Sequence, residues 1–320
     1  MLNRIATLIR EADNIAILPH LSADGDAIGS SFALAIALAG MKKNVKVYLE
    51  EEIPSIFKFL PGSNLSIVFA EETDIQFDVA VALDCGDMDR LGKRKGIYDR
   101  SKATVNIDHH PTNTNFAQYN YTDMKASATA EIVFSLLKLL DIENNKEIAT
   151  NLYTAITTDT GGFRYSNTTS HTHNIAAELI KSGVDVAHVS EKVFDSVSYE
   201  KVKLLGEAIN VLELMEDGKI AAIVLSRAIV EKTGAKEDDF DGIINTAKNI
   251  RGVEVAFMMR QNANGEIKVS LRSGSLVDVS EIARAYSGGG HKKAAGYTAS
   301  GTLEDARNRL VNDIRKALLK

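Results

Sequence analysis

Apolar residues change their spacing twice within the first forty positions. Leu2, Ile5, Leu8, Ile9 and Ala12 recur every three or four residues with polar and charged residues between them, the period of one helix face. Residues 15–18, Ile-Ala-Ile-Leu, are then apolar without a break, as in a strand buried on both sides. A polar turn follows, and a helical pattern runs from about Asp26 to Gly40. Further apolar runs at 45–49, 66–69, 79–83 and 104–107 predict strands separated by helix or loop signals. Strands alternating with helices in this way predict a largely parallel α/β sheet.

From Ser127 the spacing becomes helical again, over 128–140, 147–158 and 171–181, with Ser170 or a neighbouring Thr as the cap. Residues 185–214 read as a further helical stretch leading into a second domain. There the texture changes. Asp217-Gly218 separates apolar runs at 211–215 and 220–225, and Asn264-Gly265 separates runs at 253–259 and 267–271. Both are hairpin signals. The expected organisation is an α/β domain at 1–190, a helical linker at 191–204 and a smaller α+β domain at 205–320. The last of these ends in a helix over 303–319, and the active site is expected in the cleft between the domains.

Composition adds constraints. Hydrophobic residues make up 45% and charged residues 25% of the 320-residue chain, ordinary usage for a globular protein. No apolar run approaches the ~20 residues that span a bilayer. The one cysteine, Cys85, excludes an internal disulfide and favours a reducing compartment, so a cytoplasmic location is expected. A net charge of −6 opposes binding to long nucleic acid, which depends on clustered Lys and Arg. A short anionic substrate remains compatible, because bound metal ions can supply local positive charge.

Candidate chemistry falls in four clusters. His20, Asp24 and Asp26 follow the first predicted strand and open a helix, the edge where open α/β sheets bind ligands. Asp84 ends the apolar run 79–83, Asp108-His109-His110 ends the run 104–107, and Asp159 follows an apolar helix and precedes Gly161-Gly162. Any single Asp after a strand is more often a turn or cap residue. Four such clusters in order form a polyanionic set whose members would raise one another's pKa values. Two divalent cations would neutralise them and could clamp the attacking and leaving oxygens at a phosphorus. Cys85 reads as a small buried residue, His171 and His173 as residues of a helix start, and His188 as structural or surface. Asp87, Asp89, Arg90 and Arg164 lie near the clusters and read as ion-pairing neighbours, Arg164 also as a phosphate contact.

In this order, His20-x3-Asp24-x-Asp26, Asp84, Asp108-His109-His110 and Asp159 resemble the four-motif signature of the DHH phosphoesterase superfamily. The resemblance implies that His20 and Asp24 hold one metal, that Asp26, His109 and Asp159 hold another, and that Asp84 bridges them. It places Asp108 behind the ligands and has His110 contact the phosphate or assist the leaving group, the two counting as catalytic. Gly288-Gly289-Gly290-His291, expected as a glycine-rich loop, resembles the signature of the DHH-associated C-terminal domain, and Val269-Ser270-Leu271-Arg272-Ser273 resembles its substrate-binding strand. Arg272, Ser273, Gly288, Gly289, Gly290 and His291 are thus the expected substrate-binding residues.

The chain is similar overall to the compact bacterial oligoribonuclease and 3′-phosphoadenosine-5′-phosphate phosphatase group. The implied activity is two-metal hydrolysis of short oligoribonucleotides to mononucleotides, of 3′-phosphoadenosine-5′-phosphate to AMP, or of both. A soluble cyclic di-AMP or linear dinucleotide phosphodiesterase is the enzymatic alternative, and a nucleotide-binding regulatory protein is the non-enzymatic one. Mixed His and Asp donors favour Mn2+, with Mg2+ or Co2+ as substitutes. No membrane partner is expected. A homodimer through the first domain is implied by the resemblance alone.

Overall fold

The computed structural model describes residues 1–70, 76–262 and 264–319 and divides into two compact units, Met1–Ser196 and Val197–Lys320. The first unit runs α1 (Leu2–Glu11), β1 (Asn14–Pro19), α2 (Gly25–Gly40), β2 (Asn44–Leu49), β3 (Ser66–Val68), β4 (Val79–Leu83), α3 (Lys95–Arg100) and β5 (Ala103–Asp108). It continues with β6 (Tyr119–Thr122), α4 (Thr129–Leu139), α5 (Lys146–Asp159), α6 (Ser170–Lys181) and α7 (Val186–Ser190). Its strands form one sheet in the order β3-β2-β1-β4-β5-β6, and every neighbouring pair is parallel.

From β1 the chain moves outward through β2 to β3 and then returns to build β4, β5 and β6 on the other side. Strand order therefore reverses between β1 and β4. Connections leave toward opposite faces there, opening a crevice at the carboxyl ends of the strands. All five residues of β4 are buried, as its uninterrupted Val-Ala-Val-Ala-Leu sequence requires.

Helix α2 is buried over most of its surface and packs closely on α5. Two glycines permit the approach. A Cβ on Gly29 would lie 2.5 Å from the Asn151 carbonyl oxygen, and one on Gly25 would lie 2.4 Å from Thr158 Oγ1. Four residues apart, they occupy one helix face. Gly29→Ala is expected to force the helices apart, lowering stability by ~1–3 kcal/mol as overpacking does. Since α5 carries Asp159 and α2 carries Asp26, divalent-cation affinity should fall with it. Thermal denaturation and metal titration check both; full stability and affinity in Gly29→Ala would contradict the packing argument.

The second unit contains α8 (Tyr199–Asn210), β7 (Glu213–Met215), β8 (Ile220–Leu225), α9 (Arg227–Thr233), α10 (Ile243–Lys248), β9 (Val255–Gln261) and β10 (Ile267–Ser273). It ends with α11 (Val279–Ala285), β11 (Gly289–His291), β12 (Ala294–Ala299) and α12 (Leu303–Leu318). Its sheet, β11-β12-β10-β9-β8-β7, is mixed: β8 and β9 are parallel and the other pairs antiparallel. The two-residue side-chain period sends Ile220 and Ala222 to a core with α11 and α12, and Ala221, Ile223 and Leu225 to a second core with α8 and α10. Both expected hairpins form, with Gly218 at φ +82 and Gly265 at φ +82.

Two expectations are corrected here, and one strand was not foreseen. Residues 185–214 are not one helical stretch: α7 passes into a π-helical turn at Glu191–Asp195, Ser196 is extended, and Ser198 starts α8 by accepting a hydrogen bond from Lys201 N. Strand β6 went unread because Tyr119–Thr122 is half-buried at the sheet edge and its polar residues break the apolar pattern. The glycine-rich segment is an edge strand rather than a loop.

Candidate active site

The crevice between β1 and β4 gathers the four sequence clusters. Strand β1 delivers His20, β4 delivers Asp84, and β5 ends in Asp108 and is followed by His109 and His110. Asp24 is the N-cap of α2, its Oδ1 accepting from the backbone N–H groups of Asp26 and Ala27, both at 3.1 Å. The close α2–α5 contact brings in Asp159 at the end of α5.

Three sets of donor atoms lie close enough to hold metal ions, each set within 4.8 Å of one another: His20, Asp24 and Asp84; Asp26, His109 and Asp159; and Asp84, His109 and His110. Asp84 faces two ways. Its Oδ2 is 3.5 Å from His20 Nε2, and its Oδ1 is 3.6 Å from His109 Nε2 and 3.5 Å from His110 Nδ1. The residue stands at φ +59, a left-handed conformation that is uncommon outside glycine and here marks the strand-end turn.

Around this core, neighbouring groups hold the candidate metal-binding side chains. Asp26 receives the N–H groups opening α4, Thr129 N at 2.6 Å on Oδ2 and Ala130 N at 3.1 Å on Oδ1, and Ser30 Oγ also donates to Oδ1 at 2.9 Å. Thr129 Oγ1 donates to Asp84 Oδ1 at 2.9 Å. His109 Nδ1 lies 3.2 Å from the Ala126 carbonyl oxygen, and His110 Nδ1 lies 2.7 Å from Asp108 Oδ1. Asn113 donates through Nδ2 to Asp108 Oδ2 at 2.5 Å. Asn167 donates to the Asp159 carbonyl.

His20 Nδ1 sits 2.6 Å from the Leu21 carbonyl oxygen and 2.8 Å from Arg90 Nη2. A guanidinium only donates and a carbonyl only accepts, so one ring nitrogen serves one or the other. Donation to Leu21 leaves the Nε2 lone pair facing Asp24 and Asp84, the tautomer that can bind a metal.

Comparison with known proteins follows this geometry. The DHH family, N-terminal domain, matches residues 14–156, and the DHHA1 domain matches residues 207–320. The bifunctional oligoribonuclease and PAP phosphatase NrnA of Thermus thermophilus is 34% identical over 310 residues, covering 96% of this chain and 90% of that protein. The chain belongs to the DHH phosphoesterase family. A probable NrnA of Streptococcus mutans is 30% identical over 94% of each chain. A crystal structure of an exopolyphosphatase-related protein from Bacteroides fragilis superposes with a TM-score of 0.90 at 28% identity, covering 99% of this DHH chain and 95% of that one. RecJ of Thermus thermophilus, solved in complex with Mn2+, shares the fold at a TM-score of 0.56 and 15% identity, over 100% of this chain and 55% of RecJ.

The electrostatics of this DHH centre explain its need for cations. Burial, then the charges of Asp84 and Asp159, push the Asp26 carboxyl well above the usual range. Burial, then Asp84 and Asp24, push Asp159 up to about 7. Burial works against protonation of His20, but its hydrogen bonds with Asp24 and Asp84 prevail and raise it to about 10. The Asp108 hydrogen bond raises His110 to about 9 against burial. Without metal, the cluster balances its carboxylates by holding protons. The donor set of imidazoles and carboxylates, buried and mutually repelling, therefore fits divalent cations.

The remaining sequence candidates divide. Cys85 is fully buried, and burial pushes its thiol far up, so it is no nucleophile. His173 stacks on Phe163 at 5.1 Å, His188 packs edge-on against Phe59 at 5.6 Å, and Arg164 donates through Nε to Gly161 O at 2.6 Å. In the DHHA1 domain Arg272 pairs across the sheet with Ala294, which pairs on its other side with His291. Arg272 and His291 thus share one sheet face with a small residue between them. Lys292 and Lys293 beside them are exposed. Ser273 is buried and its Oγ donates to Lys292 O at 3.2 Å, fastening the turn between β11 and β12. Gly288 and Gly290 admit β12: a Cβ on either would lie 2.3–2.5 Å from a β12 carbonyl oxygen. A Cβ on Gly289 would meet open space.

Sequence reasoning missed Thr129, Asn113, Asn167 and Ser30. Only Ser30 carried a local signal, four residues after Asp26 on the same helix face.

Proposed function

We propose that the first unit hydrolyses phosphate esters of short nucleotides with two divalent cations, Mn2+ foremost. His20 and Asp24 would hold one, Asp26, His109 and Asp159 would hold the other, and Asp84 would serve both. The observation that carries this reading is Asp84, whose two oxygens face two separate ligand sets. When bound, the cations supply positive charge to the phosphate oxygens and lower the pKa of water.

The chain's own residues do the rest. Thr129 and the opening N–H groups of α4 hold Asp84 and Asp26 in one rotamer, so the ligands are arranged before substrate arrives. Asp108, itself held by Asn113, engages His110 through Nδ1 and leaves Nε2 for a substrate oxygen. With Nδ1 held by Asp108, His110 is positioned to give a proton to the leaving oxygen through Nε2. On the second unit, Arg272 and His291, beside Lys292 and Lys293, form a face suited to phosphate.

The substrates we infer are short oligoribonucleotides and 3′-phosphoadenosine-5′-phosphate, supported by the names of the relatives that align over nearly the whole chain. Among the described residues no helix is long and apolar enough to cross a membrane. The test is an assay of chelator-stripped protein reconstituted with Mn2+, Mg2+ or Co2+, on dinucleotides, longer RNA, 3′-phosphoadenosine-5′-phosphate and cyclic di-AMP. Turnover of dinucleotide and of 3′-phosphoadenosine-5′-phosphate, absent after chelation and restored by two equivalents of metal, is expected. Failure of every metal to support either reaction would remove the reading, and exclusive action on cyclic di-AMP would replace the substrate class.

A further inference from the structure

Immediately past Asp159 the chain makes a turn that the metal centre does not account for. Gly161, Gly162 and Phe163 stand in succession at φ +57, +71 and +62, all left-handed. The turn is firmly tied. Arg164 N and Tyr165 N both donate to Thr160 O, at 2.9 and 3.0 Å; Phe163 N donates to Thr160 Oγ1; and Asn167 spans back to Asp159 O and Ser127 O. Phe163 packs inward against the core and stacks on His173.

Two aromatic rings remain in solvent at this fixed turn, Tyr165 on the turn itself and Phe194 from the π-helical segment Glu191–Asp195. Tyr165 is 57% exposed and Phe194 is 39% exposed. The Tyr165 ring lies on Gly161, where an added Cβ would come within 2.3 Å of it. Phe194 reaches Gly162, 3.8 Å from where a side chain would begin, with Arg164 Nε at 3.9 Å. Gly161 is thus required by the Tyr165 ring as well as by the backbone, while Phe194 rests in ordinary contact beside Gly162. Gly161 is two residues from Asp159, so its Cα lies no more than about 7.6 Å from that of Asp159. That is the scale separating the phosphate of a nucleotide from its own base.

We propose that Tyr165 and Phe194, which flank the adjacent glycines Gly161 and Gly162, form with the neighbouring Arg164 a stacking platform for a nucleobase of the substrate. The platform belongs to the first unit itself. This inference rests on the nucleotide-esterase reading above. A base is neutral and gains nothing from the cations that hold its phosphate, so a centre selecting nucleotides over other phosphate esters needs a separate contact. Exposed rings on and beside a rigid turn, with a guanidinium next to them, provide one, and stacking accepts any base because every base has a π-face.

The experiment compares wild type, Tyr165→Phe, Tyr165→Leu and Phe194→Leu. Each is assayed with Mn2+ on a dinucleotide and on an abasic analogue with the same sugars and phosphodiester. Tyr165→Leu and Phe194→Leu keep apolar volume and remove the π-face; Tyr165→Phe keeps it. The expected result is a fall of roughly ten- to hundred-fold in kcat/KM on the dinucleotide for both Leu variants. The fall should be carried by KM, with Tyr165→Phe near wild type and the abasic analogue cleaved by all four within a factor of about two. Equal losses on both substrates, or no loss on the dinucleotide, would overturn the platform while leaving the metal centre standing. A wild type inactive on both substrates would overturn the esterase reading and the platform with it.

Discussion

Asp84→Asn is expected to lower turnover by about a thousand-fold or more, equivalent to ~4 kcal/mol of barrier, while leaving the protein folded. Both halves of that expectation come from the site. Asparagine is one of the few residues that tolerates a left-handed backbone, so the φ of +59 can be kept, and its amide oxygen can still accept from Thr129 Oγ1. What disappears is the negative charge shared between the two ligand sets. At least one cation should bind more weakly, and calorimetric titration should show it. Asp84 is also a leading charge among those that raise the carboxyls of Asp26 and Asp159 in the ion-free protein. Removing it relieves that repulsion but also takes away a carboxylate that holds the proton on His20, so in the metal-free protein the two effects oppose each other. Two undisturbed metal sites with normal turnover would show that Asp84 is not the bridge.

Much of this candidate centre was legible because most of its candidate metal-binding residues sit where a local pattern ends. An apolar run that stops at His20, Asp84 or Asp108 marks the carboxyl edge of a parallel sheet, and that edge is where the topology opens its crevice. The groups that hold the ligands were not legible. Thr129 is 103 residues from Asp26, and its contact is made by a backbone N–H that no side-chain pattern reports. Asn113 and Asn167 lie in loops where asparagine has an ordinary turn reading. The same limit explains the misread segments. Ser196 and Ser198 lie in a stretch whose flanks are both helical, so the break at the unit boundary depended on one capping bond. The glycines at 288–290 suggested a loop, whereas two of them serve close strand pairing, a requirement visible only once β12 is beside them.

The adjacent histidines should separate cleanly on substitution, although their rings are only 4.6 Å apart. His109 directs Nε2 toward three carboxylates, at 3.5 Å from Asp159, 3.6 Å from Asp84 and 3.9 Å from Asp26, with Nδ1 donating to a backbone carbonyl. This is the geometry that the proposed ligand role requires. His110 turns Nδ1 to Asp108, which leaves Nε2 for the proposed role of proton donor. His109→Ala should therefore lose metal and activity on every substrate. His110→Ala should retain two equivalents of metal by elemental analysis and lose rate by ~10²–10⁴, the range for general acid catalysis. The loss should depend on the leaving group. A nucleotide alkoxide needs a proton as it departs, whereas a p-nitrophenolate does not, so the His110 variant should cleave a p-nitrophenyl phosphodiester nearly as fast as wild type. Because His109→Ala removes a ligand, its deficit should be the same with both leaving groups and should shrink as metal concentration is raised. Equal metal loss in the two variants would instead make His110 a ligand, the role its grouping with Asp84 and His109 also allows. Equal impairment of His110→Ala on both leaving groups would remove the proton-donor role.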